Sequence, residues 1–98
     1  MIYELAEIEV KEGQGDAFAA AVEKALPLFR GSKGCHGVRL TRSLEHPYRF
    51  RLLVEWETVE DHMEGFRHSP QFNDWRALVS PYFANSPRVE HLETLMVC

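Results

Sequence analysis

Hydrophobic positions change period several times along this chain, and each change marks an element. From Ile2 to Val10, IYELAEIEV, the period is two, with Ile2, Ala6, Ile8 and Val10 on one face and Tyr3, Leu5, Glu7 and Glu9 on the other, which predicts a strand. A turn over 11–15 follows, and Asp16 is placed to cap a helix by accepting from the amides of its first turn. The period then becomes helical. Phe18, Ala21, Val22, Ala25 and Phe29 share a narrow arc, while Glu23, Lys24 and Pro27 point away. Pro27 removes one backbone hydrogen bond and crowds the carbonyl of Glu23, which predicts a kink or a tightened last turn. Either Gly31 or Gly34 suits the left-handed cap.

Alternation returns from Val38 to Leu44 and again from Arg49 to Trp56, with a tight connection over 45–48, so the two segments predict an antiparallel hairpin. The second, with Phe50, Leu52, Val54 and Trp56 on one side and Leu53 on the other, is the most apolar and suits a central position. Thr58 and Asp61 have capping-box spacing and open a short helix with the stripe Val59, Met63 and Phe66, weakened by Gly65. Ser69-Pro70 caps the next helix, whose inner face is Phe72, Trp75 and Val79, and Ser80-Pro81 starts one more turn. A last strand is predicted from Arg88 to Val97.

Strand, helix, strand, strand, helix cluster, strand is the order of an α+β ferredoxin-like fold, a split βαβ with an antiparallel sheet. Its helices cover one face of the sheet. Leu5, Leu53, Leu92 and Met96 then fall on the other, and burying them predicts a homodimer with the sheets face to face.

Length and charge narrow the function. With 98 residues there is one domain, 1–98. A net charge of -4 provides no cationic surface for nucleic acid or anionic lipid, and no apolar run is long enough to span a membrane. The amino terminus is acidic where a signal peptide would be basic, which predicts a cytoplasmic protein. Cys35 and Cys98 lie far apart, and the five histidines have no ligand spacing, so no metal site is expected.

The segments KGCHGVRLTRSLEHPYRF and EWETVEDHMEGFRHSPQFNDWRALVSPYF, followed by VEH, resemble the antibiotic biosynthesis monooxygenase family of dimeric α/β barrels across essentially the whole chain. That resemblance implies a cofactor-independent monooxygenase acting with O2 on a small phenolic or quinol-like molecule, or a non-catalytic binding or structural module of the same fold. The haem-degrading branch of the family binds iron through an asparagine, a tryptophan and a histidine. Ala6, Phe66 and Arg76 stand in those places, so the resemblance does not extend to haem.

A cofactor-free oxygenase must remove a phenolic proton, hold the anion and exclude water while O2 reacts. His62, about 60° from the centre of the Val59–Met63–Phe66 stripe, is the candidate base or proton shuttle, or else bridges local backbone. Arg76 falls on an apolar stripe, where its charge calls for an anion: a carboxylate of the chain (Glu55, Glu57 or Asp61) or a substrate. Arg67 invites the same two readings. Trp75 is a stacking wall or core, and Phe72 is expected to be core. Tyr82 donates to a ligand oxygen at a pocket rim or covers the sheet. His36 and His91 are too isolated in sequence to assign.

Overall fold

The computed structural model describes residues 1–98. Two-residue periodicity becomes a regular burial pattern in β1 (Ile2–Glu9) and β3 (Arg49–Trp56), where every second side chain from Glu4 and from Phe50 is buried. With α1 (Gly15–Arg30), β2 (Cys35–Arg42), α2 (Pro70–Val79) and β4 (Arg88–Leu92), they form a four-stranded antiparallel sheet in the order β2-β3-β1-β4. This is the expected split βαβ, with β3 and β1 at its centre. The core lies between the sheet and the helices, built from Ala6, Ile8, Phe50, Leu52, Val54 and Trp56 below and Phe18, Val22, Ala25, Phe29, Phe66, Trp75 and Val79 above.

Three predicted details change. Asp16 caps nothing: α1 begins at Gly15, Gln14 holds the cap position without a side-chain hydrogen bond, and Asp16 instead accepts from Arg42 at 3.0 Å. The second strand begins at Cys35 and stops at Arg42, leaving Leu44 exposed, because Arg42 pairs with Phe50 and the chain then turns. β4 ends at Leu92. Its partner there is Tyr3, so only Ile2 and Met1 remain to be paired and residues beyond 94 meet no strand. α1 runs through Pro27 to Arg30, with a tight bond from the Ser32 amide to the Phe29 carbonyl just beyond its end, and of the two glycines it is Gly34 that takes a positive φ, 81°.

The open face of the sheet is mixed. Leu5 lies opposite Leu53, and Tyr3 opposite Leu92, but Glu90 and Arg39 flank the leucines. Glu7 accepts from Arg88 at 3.0 Å and lies 3.6 Å from Arg51. Met96 is not on this face; with Leu95 and Val97 it lies exposed beyond β4.

Candidate functional site

The chain between β3 and α2 places the first functional side chain. Thr58 Oγ1 accepts from the amide of Asp61 at 3.1 Å, as its capping position predicts. The helix then widens to a π turn over Asp61–Gly65, in which the Phe66 amide reaches back to the Asp61 carbonyl. A wide turn inserts one extra residue and rotates the side chains beyond it about the helix axis. His62, at the start of this turn, and Phe66, just after it, point inward and are buried, while Val59 and Met63 are only half covered. A 3-10 turn (Phe66–His68) leads to Ser69, whose hydroxyl accepts from the Phe72 amide at 3.3 Å and so starts α2, with Pro70 at its first position.

His62 meets a buried polar cluster that only the sheet register assembles. Glu4 on β1 pairs with Val54 on one side and His91 on the other, so all three share the helix face. Trp56 Nε1–H donates to Glu4 Oε1 at 3.0 Å, and His62 Nε2 lies 3.2 Å from the same oxygen. On its other side, His62 Nδ1 hydrogen-bonds with His91 Nε2 at 2.8 Å. The His62 ring stacks on Trp56 with centroids 5.5 Å apart and planes 16° from parallel.

Burial sets the charge states. It pushes the Glu4 carboxyl up to about 6, although the Trp56 N–H and the Arg67 cation favour the carboxylate. It pulls His62 down to about 4, helped by His91 and Arg67. Near neutral pH, Glu4 is therefore largely ionised and His62 neutral. A carboxylate at 3.2 Å repels a bare imidazole nitrogen, so His62 carries its proton on Nε2, and its Nδ1 accepts from His91. No lone pair of His62 is left free.

Beside this cluster opens a cavity of about 680 Å³. Ala6, Ile8 and Leu52 form its floor, Phe72, Trp75, Phe83 and Val89 its apolar walls, and Glu4 and His62 its inner polar end. Arg67 and Arg76 also line it and are solvent-exposed. Neither arginine belongs to any salt bridge of the chain. Glu57 pairs with His36, and none of Glu55, Glu57 and Asp61 answers Arg76. The expected carboxylate partner is thus absent, and because Arg76 is exposed its charge costs little. Both guanidinium groups flank Phe72, at 5.7 Å and 6.0 Å from the ring centre.

The remaining candidates divide. Trp75 is both core and wall: it is buried against Phe29, with centroids 4.9 Å apart, and lines the cavity. Phe72, expected to be core, is half-buried and lines it too. Tyr82 is not at the rim; its ring lies edge-on to Phe18 at 6.5 Å, where it covers the core, and Phe83 takes the place in the wall. No group of three or more His, Cys, Asp or Glu side chains is arranged to hold a metal ion. No helix is long and apolar enough to cross a membrane.

Sequence reading missed Glu4 and His91. Glu4 had a signal: it is the charged residue at an inward position of β1, where Ile2, Ala6, Ile8 and Val10 are apolar. His91 had only its parity with Val89, which becomes informative once β4 is registered against β1.

Comparison with known proteins agrees with this architecture. A family model described as antibiotic biosynthesis monooxygenase matches residues 1–78. The chain is 40% identical to the uncharacterized protein YczJ of Bacillus subtilis (strain 168), over 95% of this chain and 98% of that one. Among solved structures, the "putative antibiotic biosynthesis monooxygenase" of Bordetella bronchiseptica is 47% identical and superposes with a TM-score of 0.95, covering 97% of each chain. A protein of the same description from Nitrosomonas europaea, 19% identical, shares the fold with a TM-score of 0.83, over 96% of this chain and 89% of that one.

Proposed function

The chain belongs to the antibiotic biosynthesis monooxygenase family, and from that premise we propose that it is a cofactor-independent monooxygenase acting on a small phenol or quinol. The observation that carries this reading is the pair Arg67 and Arg76, two cations lining one cavity with apolar walls, neither of them in a salt bridge of the chain. Removing a phenolic proton leaves an electron-rich anion able to pass electrons to O2. Cations at the mouth of a low-dielectric site stabilise that anion where it forms. Trp75 and Phe72 supply flat apolar faces for an aromatic ring, and the volume is in the range of small-molecule sites. His62, the expected base, has both ring nitrogens engaged, one beside Glu4 and one with His91, and stands between them at the inner end of the cavity. The substrate supplies the electrons, so the reaction calls for no cofactor.

The working form is a homodimer through the open sheet face, in the cytoplasm. Leu5, Leu53, Tyr3 and Leu92 on that face, together with the exposed Leu95, Met96 and Val97, support a second copy as the cover. The two free thiols fit a reducing compartment.

Oxygen uptake with a panel of hydroquinones, run aerobically and under nitrogen, tests the activity. Product that depends on O2 is expected. Equal product in both atmospheres refutes it. Absence of turnover together with loss of folding in His62→Ala would instead make the chain a binding or structural module.

A further inference from the structure

We propose that Glu4 is the general base of this site, taking the phenolic proton on Oε2 and returning it to the departing oxygen. The assignment rests on the oxygenase reading and changes which residue performs its first step. Glu4 is the only carboxylate lining the cavity. Its Oε1 is held by the Trp56 N–H and faces His62 Nε2. Its Oε2 has no hydrogen-bond partner, yet no fully buried side-chain oxygen or nitrogen lacks one, so the 9% of the side chain that remains exposed includes Oε2. The free lone pairs therefore open on the cavity, while those of His62 are occupied. A carboxyl titrating near 6 is also matched to accepting a proton at neutral pH, where an imidazole titrating near 4 is not.

Charged and titratable groups face Glu4 from four neighbouring segments, while β3 presents only Val54 and Trp56. These groups are His62 and Arg67 from the 61–68 segment, His91 from β4, Cys35 from β2 and, across the cavity, Arg76 from α2. Glu4 has no carboxylate neighbour in the cavity to raise it further.

The chemistry balances. The phenolic O–H gives its proton to Glu4. One electron passes from the phenolate to O2, and the two radicals join through a new bond from oxygen to a hydrogen-bearing ring carbon ortho or para to the phenolate oxygen, the ortho carbon in a hydroquinone. Glu4 returns its proton to the outer peroxide oxygen. Loss of the C–H proton and cleavage of the O–O bond then expel hydroxide, which combines with that proton as water and leaves a quinone. Phenol and O2 thus become quinone and water, with all electrons from the substrate.

Two measurements on wild type and Glu4→Gln test the assignment. Gln keeps an acceptor for Trp56, so the variant retains its fold. Under nitrogen, below the pKa of free 4-nitrophenol, wild type is expected to turn bound nitrophenol yellow without releasing a proton to the buffer. Glu4→Gln is expected to bind it colourless, or yellow with one proton released. In O2-uptake assays, Glu4→Gln is expected to lose roughly 10²–10⁴-fold in kcat/KM on phenols protonated at the assay pH and less than about tenfold on those already ionised. Trp56→Phe, which removes the N–H that favours the carboxylate, is expected to move the acid limb of the wild-type profile to higher pH.

Unchanged nitrophenol behaviour in Glu4→Gln, or an equal loss across all phenols, overturns the assignment. Nitrophenol ionisation without O2 uptake from any phenol keeps Glu4 as proton acceptor and removes the oxygenase. O2 uptake indifferent to Glu4→Gln removes Glu4 alone. Neither binding nor uptake overturns both.

Discussion

Replacing Glu4 with Gln should uncover a pH dependence of stability that the wild-type chain conceals. His62 titrates at about 4 in the fold and near 6.5 when exposed. The unfolded chain therefore binds the extra proton first, and stability is lost as pH falls from 6.5 to 4, by about 3 kcal/mol in all. Glu4 has the opposite sign. Its carboxyl titrates at about 6 in the fold against 4.5 unfolded, so the fold binds the proton first and gains about 2 kcal/mol as pH falls from 6 to 4.5. Both side chains are almost fully buried, 9% and 4% exposed, so solvent screening does not dilute these terms. Across pH 4.5–6 they nearly cancel. The two groups lie 3.2 Å apart, and a carboxylate there can only raise His62, so Glu4→Gln keeps the downward shift that burial imposes on the imidazole.

Urea unfolding followed by tryptophan fluorescence, at fixed protein concentration and at intervals from pH 7 to 4, reads the effect directly. Glu4→Gln should fall continuously, by about 3 kcal/mol relative to its value at pH 6.5, a displacement of roughly 1–2 M in urea midpoint. His62→Gln should instead become more stable from pH 6 to 4.5, by about 2 kcal/mol. Other carboxylates, such as Glu7 held low by Arg88, titrate in all three chains and drop out of the differences. Curves for Glu4→Gln and wild type that run parallel from pH 6.5 to 4.5 would refute the opposed burial of these two groups.

Other consequences attach to particular residues. Gly34→Ala forces a left-handed side chain at φ 81° and brings its Cβ into the Asp61 side chain, so a loss of at least ~1–2 kcal/mol is expected in thermal or urea unfolding. Arg67→Gln with Arg76→Gln should weaken binding of a nitrophenolate by tenfold or more in a spectrophotometric titration while changing stability by less than about 0.5 kcal/mol, since neither arginine is in a salt bridge. Leu53→Asp, opposite Leu5 on the open face, should convert a dimer to monomer by light scattering at micromolar concentration.

The fold was legible because its evidence is local. Strand alternation in 2–9 and 49–56, the Ser69-Pro70 start of α2 and the helical arc of Phe18 to Phe29 each arise from the residue and its near neighbours. The length of β4 was not, because where it stops depends on where β1 runs out. Asp16 failed as a cap for a similar reason: the helix starts one residue earlier, with Gln14 at the cap position, and Arg42 from another strand claims the carboxylate.

The site was half legible. His62, Trp75, Arg67 and Arg76 all lie in one short stretch, and all line the cavity. Periodicity at 3.6 residues put His62 at the border of the buried stripe, but it does not contain the π turn over Asp61–Gly65 in which His62 sits fully buried. Its partners come from positions 4, 56 and 91, joined only by register. The missing partner of Arg76 is a fact about the whole surface, visible once every carboxylate has been placed.

The central claim, oxygenation in this cavity with electrons from the substrate alone, is tested most directly by isotope. Wild-type protein is incubated with an accepted hydroquinone under 18O2, and product and solvent are analysed by mass spectrometry within a time short enough to limit carbonyl exchange. One 18O atom in each hydroxylated quinone and one in water is the predicted result. Quinone without label, or equal product under nitrogen, would contradict the account.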